Sequence, residues 1–284
     1  MAAPRVQASP WAAPRQRAET LRERHDFAAE MLTLYLALLE VWEQSWVDAR
    51  ADRPEDVPAW AVDRVLPQVI AVTERCGPAG LRSAMKAPFT TPSERKAPFI
   101  ALLAAWLAGE ELVAVERYLA RATLRGPLAA VDAELACAAD PAPRGDRRCP
   151  RCGGAPQLSF RTDSGDNLVS GHRELQCARC GTHWSYSSSA CAYCGETGGG
   201  QRTVYTEQRD GPQVGRGSAE SGAGALLPHI RVEACSGCQR YLIDVDLGRD
   251  PLAVPEVDEL AALPLDLYAA EQGLSKITPN LMGF

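Results

Sequence analysis

The chain has 284 residues, of which 46% are hydrophobic and 23% charged, as in an ordinary globular protein. Its formal net charge is −6, and residues 149–284 carry 11 Lys and Arg against 16 Asp and Glu. Nucleic-acid-binding proteins concentrate positive charge where they contact phosphate, so this balance argues against that class. The unusual feature is the presence of ten cysteines.

No apolar signal-type segment follows the opening MAAPRVQASP, and we therefore expect a cytoplasmic protein. The longest nearly apolar run, residues 97–109, has about 13 residues, whereas a membrane-spanning helix needs about 20. We accordingly expect no membrane insertion. Disulfides are rare in the cytoplasm, so the cysteines need another explanation.

The N-terminal half is predicted to be helical. Residues 1–17 lack apolar periodicity and are expected to form a disordered tail. Residues 18–140 are expected to form an all-α domain, because no strand-like alternation occurs there. A long amphipathic helix is predicted over residues 18–50, where apolar side chains recur at steps of three and four: Phe27, Met31, Leu34, Tyr35, Leu38, Trp42 and Trp46.

Four further helices are predicted in this domain. One covers residues 59–75, and another begins at Thr91, where Thr-Pro-Ser-Glu has the sequence of a capping box. The others cover residues 110–124 and 127–139. A stripe of tryptophans is interpreted as helix-to-helix core, with a partner-binding face as the alternative: Trp42, Trp46, Trp60 and Trp106.

Two cysteines of this half, Cys76 and Cys137, stand apart from any second cysteine at short spacing. We interpret them as buried, unreactive thiols. Residues 141–148 are rich in Pro and Gly and are predicted to be a linker.

The remaining eight cysteines form four Cys-X-X-Cys pairs. A pair with this spacing can direct both sulfurs toward one tetrahedral metal ion when the chain makes a tight turn. A glycine after the second cysteine accepts the positive φ of such a turn, and Gly153, Gly181 and Gly195 occupy that position. One pair alone would also fit a thioredoxin-type motif, but four pairs favour metal binding over redox dithiols.

The lengths between the pairs predict which of them share an ion. The segments of 24 and 40 residues inside the proposed sites can hold β-hairpins, whereas only 10 residues separate Cys180 from Cys191. We therefore predict two sites with sequential pairing, one in a module at residues 149–188 and one in a module at 189–284. The predicted ligands are Cys149, Cys152, Cys177 and Cys180 in the first site, and Cys191, Cys194, Cys235 and Cys238 in the second.

The donor set leaves the metal open, because four thiolates suit zinc and iron equally. His172, His183 and His229 lie among the cysteines, but four sulfurs complete each site. We interpret these histidines as surface or packing residues.

Five segments of this half resemble the formate dehydrogenase accessory protein family, FdhE. They are the stretches at residues 149–156, 172–184, 191–195, 232–242 and 257–266, in that order and behind a helical half. The resemblance implies an α+β multidomain protein: an all-α N-terminal domain, two small rubredoxin-like or zinc-ribbon β modules, and a short C-terminal helix. It also implies iron in both sites.

The same resemblance implies a cytoplasmic accessory protein that binds the catalytic subunit of formate dehydrogenase during maturation and is not itself an enzyme. A second copy of the chain is a further candidate partner. Two other hypotheses remain open at this point: a zinc-ribbon nucleic-acid-binding protein, disfavoured by the acidic charge, and a rubredoxin-like electron carrier.

Overall fold

A computed structural model describes residues 10–85, 96–136, 145–162, 172–208, 211–215 and 225–283. The predicted fold class is confirmed: a helical N-terminal region precedes a mixed β-sheet that carries two four-cysteine clusters, and short helices follow. The helices are α1 (Ala12–Arg24), α2 (Ala29–Asp52), α3 (Val57–Arg64), α4 (Leu66–Cys76), α5 (Ala79–Met85), α6 (Lys96–Ala108), α7 (Ala114–Ala130), α8 (Ala133–Ala136), α9 (Pro255–Ala261) and α10 (Leu263–Glu271).

The N-terminal boundary differs from the expectation. The disordered tail predicted at residues 1–17 is wrong for its second half, because α1 begins at Ala12 and both Trp11 and Arg17 are buried. Residues 1–9 lie outside the described residues. The single helix predicted over residues 18–50 is divided into α1 and α2 by an extended residue, His25. Arg17 sits on the buried face of α1, and a buried cation breaks the apolar pattern by which helices are recognised.

Two prolines shift the other helix boundaries. Pro67 starts α4, so the helix predicted at residues 59–75 is two helices, since proline cannot donate the backbone bond that would continue α3. Pro127 lies inside α7 rather than opening a new helix. The preceding residue, Gly126, lets α7 pack closely on α2, because a Cβ there would lie 2.7 Å from the carbonyl oxygen of Trp42.

Several predicted features fall wholly or partly outside the described residues: the capping box at Thr91, Cys137 and the first half of the 141–148 linker. Cys76 is described, and it is a free, partly buried thiol at the end of α4. Trp42 and Trp106 are buried, and Trp46 and Trp60 pack against the same core, in agreement with the core-packing interpretation.

The strands of the described residues form one eight-stranded sheet of order β3-β2-β1-β7-β6-β4-β5, with β8 paired to β7. They are β1 (Pro156–Arg161), β2 (Arg173–Cys177), β3 (His183–Ser185), β4 (Arg202–Gln208), β5 (Gly211–Gly215), β6 (Ile230–Cys235), β7 (Arg240–Asp246) and β8 (Ser275–Lys276). The pairs β1–β2, β2–β3, β4–β5, β4–β6 and β6–β7 are antiparallel. Strand β7 pairs in parallel with both β8 and β1, and Leu158 of β1 lies opposite Ile243. The two predicted metal modules are thus joined edge to edge.

One hydrophobic core connects the two halves of the chain. It extends from Trp11 in the helical half to Leu281 near the C-terminus and includes the sulfur-bearing residues of the first cysteine cluster. Helix α9 contacts α1, α2 and strand β1, so it lies between the helices and the sheet. Among the described residues, no helix combines the length and apolarity required to cross a bilayer.

Candidate metal centres

Three of the four Cys-X-X-Cys turns have the same backbone hydrogen bonds. The glycine after the second cysteine donates its N–H to the carbonyl of the first cysteine, at 2.9 Å for Gly153, 3.2 Å for Gly181 and 2.9 Å for Gly195. All three glycines have positive φ, between 72° and 81°. This is the role that the sequence predicts for them, since glycine enters the left-handed region without a Cβ penalty.

The fourth turn reaches the same conformation without glycine. Gln239, the residue after Cys238, has a φ of 56°. Gly237, which lies between the two cysteines, does not take over that role, because its φ is not in the left-handed region. A positive φ after the second cysteine is therefore common to all four pairs, at the cost of backbone strain at Gln239.

The first cluster brings together the four sulfurs that the spacing assigns to it. The Sγ atoms of Cys149 and Cys180 lie 3.7 Å apart, and those of Cys152 and Cys177 lie 3.4 Å apart. One turn precedes β1 and the other follows β2, whose pairing sets Pro156 opposite Cys177. The β1–β2 hairpin thus brings the two turns together.

The second cluster is built in the same way. The Sγ atoms of Cys191 and Cys238 are 3.8 Å apart, and those of Cys194 and Cys235 are also 3.8 Å apart. One turn lies ahead of β4, and the other connects β6 to β7. Because β4 pairs with β6, the two turns meet at the same end of the sheet.

These spacings match a tetrahedral ion. Sulfurs at about 2.3 Å from a central ion lie about 3.8 Å from one another in a tetrahedron. All four sulfurs of each cluster lie within 4.8 Å of one another. The distances are far longer than a disulfide bond of about 2.05 Å. Each four-cysteine cluster could therefore hold one metal ion.

Burial distinguishes the two clusters. All four cysteines of the first are buried, whereas Cys194 of the second is exposed and Cys238 is partly buried. Burial raises the pKa of the Cys177 thiol well above its usual range, so a thiolate there requires a cation beside it. The backbone N–H of Arg179 also donates to Cys177 Sγ at 3.3 Å, which disperses thiolate charge.

None of the three histidines belongs to a four-cysteine cluster. His172 is exposed and hydrogen-bonded to Ser185, and His183 packs edge-to-face on Phe160 with ring centroids 4.9 Å apart. His229 is buried beside Asp258, with Nε2 to Oδ1 at 2.7 Å. Their interpretation as surface or packing residues agrees with these positions.

Known proteins share both the sequence and the fold. Residues 213–282 match a family model described as FdhE, C-terminal domain. Over 136 residues, 48% of this chain, the sequence is 34% identical to the protein FdhE homolog of Aquifex aeolicus. Over 134 residues it is 32% identical to the protein FdhE homolog of Pseudomonas aeruginosa. The chain is therefore similar to FdhE proteins over about half of its own length.

The sequence match to these FdhE relatives is partial, since it spans 41% and 38% of their lengths. The fold match is broader. The crystal structure of the FdhE protein from Pseudomonas aeruginosa superimposes with a TM-score of 0.60, covering 96% of this chain and 94% of that one at 22% identity. The helical half therefore shares the fold of that FdhE protein, although the sequence matches to FdhE relatives cover only about half of the chain.

Sequence reasoning missed a buried ionic group that joins the two halves of the chain. Arg17 of α1 contacts Asp258 of α9 and, at 2.7 Å, Asp250. His229 completes the group, and its ring nitrogen and the two carboxylates lie close enough together to suggest a cation site. The guanidinium of Arg17 already supplies the positive charge there, so we assign no metal to it.

The acidic segment at residues 257–266, one of the FdhE-like stretches, has a structural explanation. Glu259 and Asp266 are buried, and both pair with the ammonium of Lys276, at 2.8 and 3.0 Å. Tyr241 donates its hydroxyl to Asp266 at 3.0 Å. This network attaches the C-terminal segment to the sheet next to the second cluster. The sequence signal for this buried network was the presence of acidic residues, Glu259 and Asp266, within an otherwise apolar helical segment.

Proposed function

We propose that this chain is a metal-bound accessory protein that binds the catalytic subunit of formate dehydrogenase in the cytoplasm and supports its maturation. The observation that carries the proposal is the presence of two tetrahedrally spaced four-cysteine clusters in a chain that is similar to FdhE proteins. The eight clustered cysteines are the proposed ligands. Iron is the proposed metal on the family resemblance, and zinc fits the same sulfurs.

The proposed role is not catalytic. The eight clustered thiols face one another, so metal binding would occupy them all and leave none as a nucleophile. Their contribution would be to fold the turns and to fix the surface that meets the partner. Structural metal sites stabilise small modules by on the order of 10 kcal/mol, which is enough to decide whether these turns are ordered.

Deletion and co-purification test this function. Deleting the gene should strongly reduce formate oxidation under conditions that induce the dehydrogenase, and the wild-type gene should restore it. A tagged copy should retain the catalytic subunit, whereas a Cys149→Ser/Cys235→Ser variant, which lacks one thiolate in each cluster, should not. Unchanged formate oxidation in the deletion strain would refute the role.

A second candidate, a rubredoxin-like electron carrier, is favoured by one observation. Cys194 is exposed and Cys238 partly so, which would bring an iron ion in the second cluster close to the surface. Exposed iron–thiolate sites support one-electron transfer. A protein that binds only zinc when purified without oxygen would eliminate this candidate and leave the accessory role intact.

A further inference from the structure

A cleft of about 680 Å³ lies where the helical half meets both cysteine clusters. Trp106 of α6 and Arg117 of α7 contribute to its lining. Arg179, from the second turn of the first cluster, and Tyr193, from the first turn of the second cluster, also line it. The cleft therefore touches every major part of the fold, and neither metal site uses it.

Four arginines in this cleft have no acidic partner among the described residues. They are Arg117, Arg147, Arg148 and Arg240. No carboxylate oxygen of the described chain lies within 4.0 Å of their guanidinium nitrogens. Arg147 donates to the carbonyl of Tyr193 at 2.6 Å, and Arg240 lies over the ring of Tyr193, 5.1 Å from its centroid.

The other charged groups around the cleft leave an excess of positive charge. Glu110 and Glu111 line it as well, and Arg179 adds a further cation. The ammonium of Lys276 is already paired with Glu259 and Asp266. A local positive excess is notable in a chain with a net charge of −6, because it opposes the charge of the molecule as a whole.

We propose that this cleft binds an acidic, extended polypeptide segment of the client protein. The proposal rests on the function proposed above, since it specifies the surface by which the client is held. Guanidinium groups bind carboxylates in a planar, two-point geometry. These guanidiniums come from three segments of the chain, at Arg117, at Arg147 and Arg148, and at Arg240, which suits carboxylates spaced along a peptide. Glu110 and Glu111 would repel a compact polyphosphate at one part of the cleft.

A purely internal role for the arginines is the main alternative. A divalent ion with four thiolates carries about −2, and nearby guanidiniums could serve only to offset that charge. In that case, removing the arginines would release metal, and no acidic peptide would bind. The two explanations therefore predict different metal contents and different peptide affinities for a variant that lacks the arginines.

Fluorescence anisotropy of the metal-loaded full chain with a labelled peptide of alternating Glu and Ser tests the proposal. An Arg117→Gln/Arg148→Gln variant should bind this peptide about tenfold more weakly, since it loses one charge pair at the half-buried Arg117 and one at the exposed Arg148. An Arg117→Lys/Arg148→Lys variant should retain most of the affinity, and added salt should weaken binding. Arg64→Gln/Arg75→Gln, on exposed parts of α3 and α4, is the matched control and should bind like wild type.

The proposal is overturned if the peptide does not bind, or if the glutamine variant binds it as well as wild type does. Loss of metal from the glutamine variant would also overturn it. So would displacement of the peptide by GTP, a compact polyphosphate, at the same arginines. Co-purification separates it from the proposed function. If the glutamine variant retains the catalytic subunit as well as wild type does, the docking surface is wrong and the function stands. If wild type binds the peptide but not the subunit, the function is wrong and the acidic-peptide site stands.

Discussion

Arg17 of α1 binds the carboxylate of Asp258 in α9 at two points: Nε–H donates to Oδ2 at 3.0 Å and Nη2 donates to Oδ1 at 2.5 Å. The side chain of Arg17 is 6% exposed and that of Asp258 is fully buried. The pair therefore connects the start of the helical half to a helix that follows the sheet. It is the clearest single link between the two halves of the chain.

Removing one member of the Arg17–Asp258 pair should lower the stability of the folded protein. Arg17→Met deletes the cation and leaves the Asp258 carboxylate buried, a change that costs about 3–5 kcal/mol in comparable buried pairs. We expect the free energy of unfolding, measured by denaturant titration of the metal-loaded protein, to fall by about 3 kcal/mol.

Arg15→Met is the matched control on the same helix. Arg15 pairs with Glu43 at 3.2 Å, but both side chains are substantially exposed. Exposed pairs contribute less than about 1 kcal/mol, so this variant should be nearly as stable as wild type. Equal effects of the two substitutions would show that the Arg17–Asp258 pair does not join the halves.

The sequence predicts the two cysteine clusters better than it predicts the fold around them. The two sulfur groups follow from local spacing, and the positive φ of Gly153, Gly181 and Gly195 follows from turn chemistry. The joining of the modules does not, because the parallel β1–β7 pairing depends on contacts between residues remote in sequence. The start of α1 could not be predicted either, because the carboxylates that pair with the buried Arg17, Asp258 and Asp250, are more than 200 residues away in sequence.

The turn geometry predicts opposite effects for two substitutions. Gly195→Ala places a Cβ at a φ of 81°, which costs about 1–2 kcal/mol. That Cβ would meet only the Arg147 side chain at 3.7 Å, an ordinary contact, so the loss reports backbone strain alone. Gln239→Gly relieves strain at a φ of 56° and should be neutral or stabilising by up to about 1 kcal/mol.

Denaturant unfolding of both metal-loaded variants measures these effects. Loss of stability in Gln239→Gly as large as that in Gly195→Ala would contradict the equivalence of the fourth turn to the other three.

The unequal burial of the clusters predicts two rates of metal loss. A chelator should reach the second cluster first, through the exposed Cys194, and the buried first cluster only after local opening. Metal release followed with a coloured chelator should show a fast and a slow phase of equal amplitude. Cys194→Ser should abolish the fast phase alone. A single phase for wild type would contradict the asymmetry.

Asp244 predicts a pH dependence of stability. It is fully buried on β7, and burial, followed by the charge of Glu233, raises its pKa to about 6, although Arg231 and Arg173 oppose the shift. A raised carboxyl pKa means that the folded state binds the extra proton. The penalty from Asp244 is therefore absent at low pH and grows as pH rises from about 4 to 6.

Asp244→Asn should remove this penalty. Because one pKa unit corresponds to about 1.4 kcal/mol, the variant should be more stable than wild type by about 3 kcal/mol at pH 7.5 and by about half of that at pH 5. Glu233→Gln is the contrasting control. Glu233 is buried among four arginines and contacts Arg173 at 2.8 Å, so its neutralisation should destabilise the protein. If the effect of Asp244→Asn on stability did not change with pH, the raised pKa of Asp244 would be contradicted.

The most direct test of the two-centre account is the metal content of the chain purified without oxygen, measured by plasma mass spectrometry together with a visible spectrum. We predict two ions per chain for wild type, with the thiolate-to-iron absorption of a ferric tetrathiolate if the metal is iron. Cys149→Ser and Cys235→Ser, each lacking one thiolate of a different cluster, should each retain one ion. Wild type without stoichiometric metal, or either variant with both ions, would contradict the account.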